Sequence, residues 1–162
     1  MPEAAAVLDT SPLILLSRIV RLDLLLTIGR RLVVPIPVLE EIRAKGEQDL
    51  AVQQVRGASY LEAVPAPATP ESILRWDLGR GESSVLAWAT ETHGALALLD
   101  DMAARRCAES LGVPLLGTAG LVLLAKRRGH IPAASPVLSE LVEAGMYLSD
   151  TTLSELRRRA GE

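Results

Sequence analysis

The sequence predicts an α/β domain: a central parallel sheet flanked by helices. Three observations carry this. Short apolar runs of four or five residues alternate with longer helical patterns. Gly and Pro fall between the segments rather than inside them. A length of 162 residues, 49% of them apolar, suits one domain with one core. Strands that alternate with helices form parallel sheets covered on both faces, because each crossover lays a helix over the sheet.

The elements follow in order. Ala4–Leu8 is an apolar run ending in Asp9 and reads as a buried strand. Ser11-Pro12 is expected to cap a helix through about Val20, with Pro at its first position. A short helix Leu22–Ile28 stops at Gly29, and Arg31–Val34 is the next strand. Pro35 and Pro37 precede a helix over Val38–Lys45, then another covers Gln48–Arg56, and Ser59–Val64 is a strand. Pro65, Pro67 and Pro70 mark the one clear loop. Helices are expected at Ser72–Asp77 and Glu82–Thr92, a strand at Ala95–Leu99 and a helix at Met102–Leu111. Val113–Leu116 is the last strand, followed by helices at Thr118–Arg128, Val137–Ala144 and Thr152–Arg159. No repeat or linker divides the chain, so residues 1–162 read as a single domain with a core of about 4–131 and C-terminal helices at about 136–160.

Composition excludes several functions. There is no Phe, and only Tyr60, Trp76, Trp88 and Tyr147 can stack on a base, so a broad aromatic platform is excluded. No apolar run is long enough to span a bilayer, since Arg18, Arg21 and Asp23 interrupt Leu13–Ile28. The start, Met1-Pro2-Glu3-Ala4, lacks the basic opening of a secretory signal, and Cys107 has no second cysteine to pair with. A reducing cytoplasm is the expected compartment, with no membrane partner. The net charge of −3 runs against the usual basic balance of nucleic-acid binders. The bases are clustered, however, at Arg105-Arg106, Lys126-Arg127-Arg128 and Arg157-Arg158-Arg159. Such runs also serve as ordinary solvated helix faces.

The acidic residues point to chemistry. In a parallel sheet with right-handed crossovers, all strand carboxyl ends lie on one edge, where ligands collect. Asp9 and the pair Asp100-Asp101 directly follow strands; Glu41 lies in the helix after Val34, and Glu82 opens the helix that leads into Ala95–Leu99. Four segments thus bring carboxylates to one edge, the kind of all-oxygen set that a hard cation such as Mg²⁺ or Mn²⁺ takes. Each acid has an ordinary reading too: Asp9 as an Asx turn, Glu82 as a dipole-favoured first-turn acid, Glu40-Glu41 as a solvated face, Asp101 as an N-cap.

The motifs themselves carry a resemblance. Asp9-Thr10-Ser11-Pro12-Leu13, Pro37-Val38-Leu39-Glu40-Glu41-Ile42, Gly81-Glu82-Ser83-Ser84-Val85-Leu86-Ala87 and Leu98-Leu99-Asp100-Asp101 come in the order seen in PIN domains. The chain most resembles a branch related to the VapC-type toxins, in which Asp100–Arg105 and Gly117–Gly129 also find counterparts; the likeness spans roughly residues 5 to 131. It implies a PIN-like three-layer fold and a Mg²⁺- or Mn²⁺-dependent ribonuclease. It implies catalytic roles for Asp9, Glu41, Glu82 and Asp100, and metal-ligand roles for Asp9, Glu82, Asp100 and Asp101. Glu82 stands where many VapC-type sequences have Asp. Ser11, Thr118 and Arg105, inside the same motifs, are the candidates for substrate contact; Gly117-Thr118 follows a strand, where backbone N–H groups can hold a phosphate.

The expected partners are an RNA substrate, a second copy of the chain and, by the resemblance, a small antitoxin protein. The apolar stretch Leu121–Ala125 is expected to supply surface for a partner. The alternative is a catalytically silent PIN fold kept for binding or regulation. Two other enzyme classes fit less well. A haloacid-dehalogenase-like phosphatase needs an acid where Ser11 stands. A response-regulator receiver needs a Lys directly after its last strand, and Lys126 is deep in a helix.

Overall fold

The computed structural model describes residues 4–162. Its sheet has five parallel strands in the order β3-β2-β1-β4-β5: β1 Ala5–Leu8, β2 Arg31–Pro35, β3 Leu61–Val64, β4 Leu96–Leu98 and β5 Leu115–Leu116. Side chains alternate between the faces of a strand. All four residues of β1 are buried, so helices cover it on both sides. This is the three-layer α/β arrangement the alternating pattern predicts.

The helices among the described residues are α1 Thr10–Arg18, α2 Ile36–Arg43, α3 Leu50–Gly57, α4 Glu71–Leu74, α5 Arg80–Glu91, α6 Met102–Ser110, α7 Thr118–Arg127, α8 Ser135–Glu143 and α9 Asp150–Arg159. A 3-10 helix spans Leu22–Ile28 and ends at Gly29, whose φ of 68° suits a residue without Cβ. Helix α5 packs against β1, β2, β4 and α2, while α7 packs against the 3-10 helix, α8 and α9. None of these helices is long and apolar enough to cross a membrane.

Three local expectations are corrected. Helix α1 starts at Thr10 with Asp9 as its N-cap residue, so Ser11 and Pro12 lie within the first turn. A first-turn Pro is tolerated there because those N–H groups have no intrahelical acceptor. The helix expected over Ser72–Asp77 is one turn, Glu71–Leu74, and Asp77 takes a φ of 51° as the chain turns toward α5. Finally, Leu121, Val122, Leu123 and Ala125 of α7 are buried in the chain's own core. They therefore supply no partner surface.

Besides their buried residues Val137, Leu138, Leu141 and Leu156, the C-terminal helices are joined through Glu162. The Glu162 carboxylate accepts from the backbone N–H of Ala134 at 2.8 Å and of Ser135 at 3.0 Å, and it pairs with Lys126 at 3.0 Å. These donors pull its pKa down to about 2. The end of α9 is thereby fixed against α7 and the start of α8.

Candidate functional site

The strand order reverses direction at β1. The chain runs outward through β2 and β3, then returns to place β4 on the other side of β1. The crevice outside the carboxyl ends of β1 and β4 is the switch point where such sheets bind ligands. A cleft of about 1120 Å³ opens there. Asp9, Ser11, Glu41, Glu82, Asp100, Asp101 and Arg105 all line it.

Asp9 is the centre of this edge. Its backbone N–H still pairs with Leu98 O at 3.2 Å, which extends β1 by one residue before α1 turns away. The side chain is 3% exposed and makes no cap bond to α1, and its Oδ1 is buried without a hydrogen-bond partner. A lone buried carboxylate oxygen carries a desolvation penalty, so the charged form is disfavoured. Burial is the main reason the Asp9 pKa rises to about 7; the Thr10 N–H pulls it back somewhat, and the charges of Glu82, Glu41 and Asp100 push it up. Three acids, from α2, α5 and the segment after β4, thus lie within electrostatic reach of Asp9.

The other carboxylates are held by partners of their own. Glu41 Oε2 accepts from Thr10 Oγ1 at 2.6 Å and Oε1 from the Gly81 N–H at 2.8 Å, so one carboxylate bridges α1, α2 and α5. Gly81 makes that approach possible, since a Cβ there would stand 2.8 Å from both Glu41 oxygens. Glu82 is the third residue of α5 and folds back to the Gly79 N–H at 3.3 Å, half of a capping box. Burial first, then the charge of Asp101, raises the Glu82 pKa, and Glu41 adds to this. Asp100 accepts from the Thr118 N–H at 2.8 Å and from Thr118 Oγ1 at 2.6 Å. Asp101 caps α6 by accepting from the Ala104 N–H at 2.9 Å, the ordinary role open to it from the sequence.

Thr118 thus differs from its expected part in substrate contact. It is fully buried, and both its N–H and its hydroxyl are taken by Asp100. It positions a carboxylate rather than offering donors to a phosphate. Arg105 does face the cleft: its Nη1 donates to Leu99 O at 2.9 Å and lies where a Cβ on Gly117 would sit, 2.6 Å away. Ser11 is exposed on the cleft wall. The basic runs do not build one face. Arg158 pairs with Glu155, Lys126 with Glu162, and Arg128 donates to Thr27 O, whereas Arg105 and Arg159 line the cleft.

A hard divalent cation suits this chemistry, because the donors are all carboxylate oxygens and Asp9 Oδ1 has no other partner. Among the described residues, no three acids converge closely enough to form a ready-made cation cage. The reason is local. Glu41 and Asp100 are occupied by Thr10, Gly81 and Thr118, and Glu82 is turned toward Gly79. Mg²⁺ retains several waters and needs only one or two direct carboxylates, so such a site does not require a closed cage.

The Gly81 contact gives a test of the architecture. Gly81→Ala is expected to push the Glu41 carboxylate out of its bonds to Thr10 and the Gly81 N–H. Glu41 is a flexible side chain, so the fold survives with a loss of about 1–2 kcal/mol. Urea unfolding measures this; an unchanged midpoint with Glu41 still bonded to Thr10 would remove Gly81 from the account.

The C-terminal wall of the cleft was not foreseen from the sequence. Tyr147 and Arg159 line it, far along the chain from the acidic motifs, and Arg18 at the end of α1 reaches the same wall through its bond to Ala144 O. The signals for it in the sequence are the lone aromatic Tyr147 and the basic run Arg157-Arg158-Arg159.

A family model described as a PIN domain matches residues 5–162. Comparison with curated proteins gives no match.

Proposed function

Because the chain belongs to the PIN-domain family, whose members are generally nucleases, we propose that it is a Mg²⁺- or Mn²⁺-dependent endoribonuclease. The observation that carries this reading is the buried, partnerless Asp9 Oδ1, pressed upon by three further carboxylates at the sheet's switch point. Asp9, Glu82 and Asp100 would hold the cation, with Asp101 next to them. When bound, it supplies positive charge at the phosphate and a more acidic water.

The chain's own residues do the rest. In hydrolysis, a water oxygen bonds to phosphorus, the bond to the leaving ribose oxygen breaks, and that oxygen gains a proton. Glu82, whose pKa is raised in the cation-free protein by burial and then by Asp101, would give up its proton to hold the cation, and a solvent water would protonate the leaving oxygen. Thr118 keeps Asp100 aimed at the reacting end, and Glu41 keeps α1, α2 and α5 in register through Thr10 and Gly81. Arg105, steadied by Leu99 O, offers its free N–H groups to a phosphate oxygen. Pairing with an antitoxin-like protein and dimerisation belong to this reading through the resemblance to VapC-type toxins.

A second reading has one observation in its favour. Glu41 and Asp100 are already satisfied internally, as in a PIN fold kept for binding alone. End-labelled single-stranded RNA incubated with Mn²⁺, with Mg²⁺ and with EDTA separates the two. The nuclease reading expects cleavage with either cation and none in EDTA, and a loss of about 100-fold or more in Asp9→Asn. RNA that stays intact in every condition while still binding the protein favours the binding module.

A further inference from the structure

We propose that Tyr147, with Arg18 and Arg159 of the same cleft, forms a second subsite that holds one unpaired base and its neighbouring phosphates. This rests on the nucleic-acid reading above and adds the residues that select single strands. The chain has two Trp and two Tyr. Tyr60, Trp76 and Trp88 are partly buried and pack against the core. Tyr147 is 88% exposed and lines the same cleft as the carboxylates.

That exposure is built into the loop between α8 and α9. Met146 and Leu148 pack against the core, so the residue between them points outward. The loop is anchored at both ends. Arg18 Nη1 donates to Ala144 O at 2.8 Å, the Met146 N–H donates to Leu141 O at 2.9 Å, and Ser149 Oγ accepts from the Thr152 N–H at 3.1 Å. The ring is therefore presented on a fixed support. An aromatic face left in water gains by stacking on a base, which offers the matching flat surface.

Charge decides the occupant. Arg18 is bonded to the loop that carries Tyr147, Arg159 lines the same cleft, and neither takes part in an ion pair among the described residues. Arg105 continues the positive charge toward Asp9. A single strand offers exposed base faces beside a phosphate backbone, and the cleft carries both an aromatic ring and arginines to meet them. A duplex hides its base faces and cannot use the ring.

The test is fluorescence anisotropy with a labelled random-sequence RNA of about 20 nucleotides, using the full chain carrying Asp9→Asn, so that binding is read apart from cleavage. Adding Tyr147→Ala is expected to weaken binding about tenfold, while Tyr147→Phe stays within about twofold. Arg159→Ala is expected to reduce the slope of log affinity against log salt by about 0.7. A labelled duplex of the same length should bind equally well with and without the Tyr147→Ala change. Equal single-strand affinity with and without the ring, or absence of single-strand binding, would overturn the proposal. Wild-type cleavage in Mn²⁺ is scored separately. A chain that binds RNA through Tyr147 yet never cuts it defeats the nuclease reading alone; one that cuts with no Tyr147 dependence defeats this inference alone.

Discussion

In cation-free buffer at pH 8, the Asp9→Asn protein is expected to unfold roughly 5–10 °C above the wild type. The folded protein holds Asp9 at a pKa of about 7 against an ordinary value of 3.8, because the carboxylate is buried and surrounded by Glu82, Glu41 and Asp100. A carboxyl whose pKa is raised by folding stabilises the fold while protonated. Its contribution is fully present below about pH 4, declines as pH rises, and is lost above about pH 7. A shift of this size corresponds to about 4 kcal/mol between those limits. Asn cannot ionise, so it escapes the loss while keeping nearly the same shape. The wild type should therefore gain stability between pH 8 and pH 5 in EDTA, and Asp9→Asn should gain much less. Glu162 does not confuse this window, since its lowered pKa costs stability only as the pH falls from about 4.5 toward 2. Thermal unfolding in EDTA at several pH values measures the effect. An Asp9→Asn protein less stable than wild type at pH 8 would mean that the favourable contact from the Thr10 N–H outweighs the burial of the charge.

The second large effect separates the adjacent acids. Asp100→Asn is expected to weaken Mn²⁺ binding at least about tenfold, and Asp101→Asn by no more than about threefold. Asp101 serves as the N-cap of α6, and Asn caps a helix nearly as well as Asp. Asp100 lies close enough to Asp9 to raise its pKa, and Thr118 fixes its direction. Asn at position 100 can still accept from the Thr118 N–H, so the change removes charge and spares the fold. Isothermal titration with Mn²⁺ gives both affinities. If the Asp101 variant loses the cation and the Asp100 variant keeps it, Asp101 is the ligand and Asp100 only a partner for Thr118.

The reason Asp100 faces the site was not legible in the sequence. The likeness of Leu8-Asp9 and Leu99-Asp100 suggests two aspartates in matching register on neighbouring strands. The strands are neighbours, but Leu8 pairs with Leu98, which sets Asp9 level with Leu99 and Asp100 one residue beyond. Side-chain alternation therefore does not explain the orientation, and the Thr118 hydrogen bonds do. The fold was far more legible. Buried parallel strands need continuous apolar runs, and Ala5–Leu8 and Arg31–Pro35 announce themselves that way. Boundaries shifted where a polar residue has two uses: Ser11 looks like a cap, yet Asp9 takes that position because β1 continues to it through its bond to Leu98. Leu121, Val122, Leu123 and Ala125 lie in the core and not on a surface, because helical periodicity alone does not separate an outer apolar face from one packed by other helices of the chain. Glu41 was found from its motif, but its bond to Gly81 joins residues 40 apart and depends on the missing Cβ.

The central claim is that Asp9 and its neighbours form a divalent-cation site. Titrating Mn²⁺ into the cation-free wild type at pH 7, in two buffers of different ionisation enthalpy, tests it most directly. Asp9 is about half protonated there and must ionise to bind, so the account expects saturable binding with release of part of a proton, and neither in Asp9→Asn. Heat that never saturates, or identical binding by wild type and Asp9→Asn, would contradict it.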